Sequence, residues 1–240
     1  MNIKYYLSLT LLLGACAAPT TSIQLETELP SKENFLFYID ENINLHSSEL
    51  LNTIQLPSQD YVVPSILNLL PNAKREYRSG IHKGIDFSVP LNAPITAVSD
   101  GVVVRSNPQH RDVDIDTYNA FLATSANLSK TPDDIYQYIL LGKSIVIDHG
   151  YAITPKFRTI SVYAHLSSIP EGIMPGAKVS KGEVIGFSGN TGTSDGALKN
   201  NKGAHLHWEM HFDGVSGRYF LGQNIPSNYL QNNIEALFDK

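Results

Sequence analysis

The sequence predicts a mainly β chain: an antiparallel, partly closed sheet, built like a barrel-like sandwich with an open groove, plus a helical insertion and a C-terminal helix. Three observations predict it. From Pro94 onward, short runs rich in Val, Ile and Thr alternate with turn signals. The stretch 107–142 breaks that rhythm and carries helix-start and helix-stop residues. At the end of the chain, Tyr229, Leu230, Ile234, Leu237 and Phe238 fall on one helical face.

Taken in order, the first strand region is Ile95 to Arg105, with Asp100-Gly101 as a turn inside it. Further strands are predicted over Ser144 to Asp148, Arg158 to Ala164, Val184 to Ser188 and Ala204 to Phe212. Pro175-Gly176, Lys181-Gly182 and Asn190-Thr191-Gly192 separate them as turns. Within the insertion, Thr131 is the expected N-cap, Pro132 the first helical residue, and Asp133 and Asp134 the acids of the first turn. That helix should run to about Leu141 and stop at Gly142, and Asp116 to Asn127 forms a second helix. The insertion reads equally as a lid or partner-docking element and as a tolerated decoration of a β-connection. From Asn224 the chain reads as a loop and then a helix capping the sheet.

The 240 residues are 42% hydrophobic, enough for a real core, which argues against wholesale disorder. A net charge of −5 gives no electrostatic reason for DNA or RNA as partner. Residues 1–15 read as an export signal: Lys4 is the positive flank, and Tyr5 to Leu13 is too short an apolar run to span a bilayer. Leu13-Gly14-Ala15-Cys16 resembles a bacterial lipobox, which implies cleavage before Cys16, a lipid on Cys16 and membrane attachment. With Ala17 next, the resemblance implies the outer membrane facing the periplasm; cleavage at Ala15-Cys16-Ala17 and ordinary secretion is the alternative. Residues 16–33 are expected to be a flexible tether, and 34–68 an N-terminal arm or strand pair. A domain over 69–223, carrying the insertion 107–142, and a C-terminal helix in 224–240 complete the organisation.

The chemistry-bearing residues are split. His82-Lys83-Gly84-Ile85-Asp86 lies mid-chain and His205-Leu206-His207 near the end. A zinc hydrolase needs three protein ligands and one open position. Two histidines and an aspartate meet that need and leave a formal +1 on the centre, so the ion still polarises a carbonyl. On a strand, His205 and His207 point to one face. Gly84 is expected to let the chain turn so that His82 and Asp86 converge. With Cys16 the one cysteine, a metal here must use imidazole and carboxylate.

The surrounding words narrow this further. His82-Lys83-Gly84-Ile85-Asp86-Phe87-Ser88, Tyr163-Ala164-His165-Leu166, Gly189-Asn190-Thr191-Gly192 and Gly203-Ala204-His205-Leu206-His207-Trp208-Glu209 occur in that order. From Leu69 to Asp213 the chain resembles the lysostaphin-type, LytM-like M23 zinc metallopeptidases, which cut peptidoglycan cross-bridges. The resemblance implies Zn²⁺ held by His82, Asp86 and His207. It also implies two catalytic, non-ligand histidines, His165 and His205, whose roles as base and as water-orienting or oxyanion-stabilising group are interchangeable at this stage. Peptidoglycan is the implied substrate, and in a host with an outer membrane the implied bond is D-Ala to meso-diaminopimelate. Ala204 stands where the family often has proline, Trp208 where it has phenylalanine, and 107–142 where it has a short loop. The rival classes are a wall-binding or amidase-activating protein of the same fold, which would work with a regulatory protein partner, and a carrier-type β domain suggested by Pro175 to Glu183.

Other polar residues carry weaker expectations. Glu209 either orients His207 or forms a structural ion pair. His211 reads as groove edge or surface, His149 as structural, and His46 and His110 as solvated. Asp112, Asp114 and Asp116 read as a solvated acidic loop, because an EF-hand glycine and terminal glutamate are missing. Asn190 to Thr193 should line the groove. Arg75 and Arg78 could bind a substrate carboxylate, with ordinary surface charge the better reading.

Overall fold

The computed structural model describes residues 31–239. The export signal, Cys16 and most of the tether lie outside the described residues. Among the described residues, no helix is long and apolar enough to cross a membrane.

Two strands, β1 (Phe35–Tyr38) and β2 (Asn44–His46), form an antiparallel hairpin in the N-terminal arm. Its inward residues Leu36, Phe37 and Leu45 are fully buried in the main core, so the arm is part of the packed body. A second small hairpin, β3 (Lys74–Arg75) and β4 (Gly80–Ile81), leads directly into His82. Then come β5 (Ile85–Phe87), β6 (Pro94–Thr96) and β7 (Gly101–Ser106). The insertion holds α1 (Ile115–Asn127) and α2 (Asp133–Ile135), which widens into a π-turn at Tyr136–Leu140. The rest is β8 (Ile145–Gly150), β9 (Arg158–Ala164), β10 (Lys178–Val179), β11 (Val184–Phe187), α3 (Ser194–Ala197), β12 (Leu206–Gly214), β13 (Gly217–Phe220) and α4 (Ser227–Glu235).

The main sheet is antiparallel, in the order β10-β7-β8-β9-β12-β13, and β5 pairs with the first half of β12. β6 and β11 form a separate pair. β12 is the organising strand, because it pairs with β9 along most of its length while β5 and β13 share its other edge. Its alternation explains this: Leu206, Trp208, Met210 and Phe212 are fully buried in the core, while His207, Glu209 and His211 share the opposite face. α4 packs Leu230 and Ile234 into the same core, as the apolar face of the tail requires.

Three local expectations are corrected. Thr131 does not cap the insertion's second helix; Pro132 occupies the N-cap without a side-chain cap, and the Thr131 hydroxyl bonds to Arg78 instead. β12 starts at Leu206, so His205 lies just before it and joins Gly189 in an isolated bridge. Gly84 is not needed for a left-handed turn. It is needed for close approach, because a Cβ there would sit 2.4 Å from the Trp208 carbonyl oxygen and 3.0 Å from Cε1 of His207. A Gly84→Ala variant is therefore expected to lose about 1–3 kcal/mol of stability through overpacking, read as a lower denaturant midpoint. An unchanged midpoint would mean that β5 and β12 can move apart freely.

Candidate metal centre and its histidines

β5 and β12 are paired so that Asp86 lies directly opposite His207. Directly opposed residues of an antiparallel pair project to the same face. His82 enters from the end of β4, and all three side chains meet. Asp86 Oδ1 lies 2.9 Å from His82 Nε2 and 2.8 Å from His207 Nδ1, and the two ring nitrogens are 3.0 Å apart. Three lone-pair atoms thus face one point, two imidazoles and one carboxylate, with His82 and His207 buried. Two ring nitrogens facing each other at that distance cannot both keep a lone pair there without a proton or a cation between them. The donor set and its size fit a small divalent ion that prefers nitrogen and oxygen ligands.

Each of the three is fixed from behind. His82 Nδ1 donates to the Leu70 carbonyl at 2.9 Å. Asp86 Oδ2 accepts from Arg75 Nη2 at 2.9 Å, and Arg75 Nη1 donates to the backbone carbonyl and side chain of Asn68. His207 Nε2 donates to Glu209 Oε1 at 2.9 Å, and the other Glu209 oxygen accepts from His211 Nε2 at 2.6 Å. The Tyr136 hydroxyl donates to the same Oε1 and lies 3.4 Å from His207 Nε2. Glu209 therefore orients His207, and the ion-pair reading holds as well. Burial alone would raise the carboxyls of Asp86 and Glu209, yet hydrogen bonds from their histidine partners outweigh it and hold both well below the usual carboxylate range. Burial opposes charge on His207, but Asp86 and Glu209 win and raise it to about 9. On His82 burial wins and the pKa falls.

Two more histidines reach the same place. His165 follows the end of β9 with φ 61°, a left-handed conformation that costs a non-glycine residue roughly 1 kcal/mol or more. Its amide donates to the Leu141 carbonyl at 3.0 Å, and its Nδ1 donates to the Thr191 carbonyl at 2.8 Å. Burial, then the neighbouring His205 and His207, push its pKa well down, so the ring is neutral with Nε2 an acceptor. His205 Nδ1 donates to the Gly203 carbonyl at 2.7 Å, which leaves Nε2 toward the cluster, 3.9 Å from Asp86 Oδ1. The His165 ring centroid is 4.7 Å from that of His205 and 5.6 Å from that of His207. These groups open into a cavity of about 660 Å³, whose other walls include Tyr118, Tyr136 and Leu140 of the insertion.

The profile of Peptidase family M23 matches residues 80–218. The chain belongs to this family. Among curated relatives, an uncharacterized metalloprotease of Haemophilus influenzae is 32% identical over 133 residues, 55% of this chain and 19% of that protein. The peptidoglycan DD-endopeptidase ShyA of Vibrio cholerae is 30% identical over 54% of this chain and 20% of its own length. The DD-carboxypeptidase/endopeptidase Mpg of Neisseria meningitidis is 27% identical over 56% of this chain and 21% of its own. The M23 chain thus spans about a fifth of the length of the relatives it matches. Among solved structures, the lysostaphin catalytic domain from Staphylococcus simulans aligns at 20% identity and TM-score 0.36, covering 58% of this chain and 75% of that one.

Within this M23 chain several expectations change. Arg75 and Arg78 are not surface charge: both are buried, Arg75 against Asp86 and Arg78 against Thr131 and the Ile81 carbonyl. His211 is buried against Glu209, and the His110 side chain is 5% exposed beside Asp112. Asp112 is not a solvated acid; it accepts from the Gly192 amide at 2.6 Å and pins the 190–193 loop. His149 is structural, as expected, held by the Asp100 carbonyl and Ser161. Tyr136 is not marked by the sequence. A tyrosine in a polar insertion carries no spacing signal, and only its contact with Glu209 marks it.

Proposed function

We propose that this chain is a zinc-dependent endopeptidase that hydrolyses peptide cross-bridges of peptidoglycan, at the D-Ala to meso-diaminopimelate bond. The observation that carries the reading is the convergence of His82 Nε2, Asp86 Oδ1 and His207 Nδ1 within 2.8–3.0 Å, beside two further histidines in one cavity. Those three residues would hold the zinc. When bound, zinc supplies Lewis acidity that polarises a carbonyl and makes water a better nucleophile.

The remaining work falls to the chain's own residues. His205 Nε2, its Nδ1–H fixed on the Gly203 carbonyl, takes the proton of the attacking water and returns it to the leaving amine. His165, its Nδ1–H fixed on Thr191 and its ring neutral, accepts the other O–H of that water through Nε2 and so orients it for attack. The cavity walls from the insertion limit water around the reacting bond. The names of the V. cholerae and N. meningitidis relatives support peptidoglycan as substrate and the D,D bond as target. A wall substrate requires action outside the cytoplasm. With the lipobox-like Leu13 to Cys16, that supports export and attachment to the outer membrane through lipidated Cys16.

Digestion of purified sacculi tests this. Zinc-loaded protein should convert cross-linked muropeptide dimers into monomers, a chelator should stop it, and added zinc should restore it. Fragment masses report the bond, and dimers left intact by zinc-loaded protein would refute the reading.

A further inference from the structure

The insertion is anchored on the site at several points. The amide of His165 donates to the Leu141 carbonyl, and Thr131 bonds to Arg78. Gly142 lies so close to Thr191 that a Cβ there would come within 2.3 Å of its carbonyl oxygen. Tyr118, Ile135, Leu140 and Ala197 form a small apolar core of their own that joins the insertion to α3. A segment fixed in this way is not a free lid.

From it, Tyr136 reaches Glu209. We propose that Tyr136 is a positioning residue of the metal centre: through Glu209 it holds the His207 ring so that Nδ1 faces His82 and Asp86. This rests on the metal-site reading of those residues, and not on the identity of the substrate.

Glu209 is 2% exposed, so its carboxylate needs protein donors on both oxygens. Two come from its own strand, His207 and His211, which flank it at i−2 and i+2 on one face. Those two place one donor on each oxygen, both from β12 itself. The Tyr136 hydroxyl is the third donor and the one from another element. It arrives on the oxygen that His207 uses, so it fixes the acceptor that decides which way the imidazole faces. A ring flip would turn a carbon toward the metal point and break the bond to Glu209. The phenol is itself held, with the Arg78 guanidinium 5.0 Å and the Lys83 ammonium 5.6 Å from its ring centroid. Tyr136 is the first residue of the π-turn Tyr136–Leu140, an arrangement often found at functional sites.

Tyr136→Phe tests the role, because the ring and its cation contacts stay while the hydroxyl goes. Zinc affinity, measured by competition with a chromogenic chelator, should fall about tenfold, the lower end for loss of an outer partner of a metal-binding histidine. The downfield imidazole N–H proton of His207 should broaden or shift in the NMR spectrum. Glu209→Gln should weaken zinc at least as much, and Tyr136→Phe combined with Glu209→Gln should be no worse than Glu209→Gln alone. A purely structural hydroxyl would lower the melting point of the metal-free protein and leave zinc affinity at the wild-type value; that result overturns the proposal. So would fully additive losses in the double variant, which would mean that Tyr136 acts independently of Glu209. Wild-type protein that takes up no zinc would instead sink the metal reading itself, and the positioning role with it. Weaker zinc binding in Tyr136→Phe together with uncut sacculi would leave this role standing and remove the peptidase reading.

Discussion

His207→Ala is expected to abolish both stoichiometric zinc and sacculus cleavage. His207 Nδ1 is the candidate ligand atom brought in by β12, 2.8 Å from Asp86 Oδ1 and 3.0 Å from His82 Nε2. Without it, one imidazole and one carboxylate remain, too few for a zinc site. The loss of Lewis-acid stabilisation, several kcal/mol, corresponds to roughly a thousandfold or more in rate. The variant also takes one donor from buried Glu209, so its fold should be checked by circular dichroism beside metal analysis. A folded variant that keeps one zinc per chain would reject His207 as a ligand.

His165→Ala should separate the chemistry from the metal. Its Nδ1 is committed to Thr191 and its amide to Leu141, and neither contact touches His82, Asp86 or His207. Zinc should remain stoichiometric while kcat drops about 10²–10⁴-fold, the usual range for a lost proton-handling group. The lost bond to Thr191 should cost about 1 kcal/mol of stability, small enough to leave the protein folded at assay temperature. Near wild-type turnover would take His165 out of the mechanism, and lost zinc would move it into the metal's own coordination.

The contrast between these two variants tracks what the residue order could and could not say. The alternation Leu206, His207, Trp208, Glu209, Met210 already separates a core face from a polar face, because a strand's period is two. The strand Arg158–Ala164 is legible from its β-branched residues, although it is buried on both faces, and Tyr229, Leu230 and Ile234 mark the last helix. Leu237 and Phe238, expected on the same helical face, lie beyond its end at Glu235, where Phe238 bridges Ile54. What spacing does not carry is which distant segments touch. Nothing near Arg75 announces that it will lie buried against Asp86, since the contact depends on how the hairpin of β3 and β4 folds back. At Thr131 a local capping signal is overridden by a tertiary partner, Arg78. Gly84 illustrates a third case: the residue matters, but for the nearness of another strand rather than for its own torsion angles.

The guanidinium of Arg75 has one more effect. It occupies Oδ2 of Asp86, so that carboxylate can offer an ion a single oxygen. Calcium favours six to eight oxygens and often takes both from one carboxylate, whereas zinc is content with four donors and tolerates nitrogen. An arginine that touches no ion would thus bias the pocket against calcium and toward zinc.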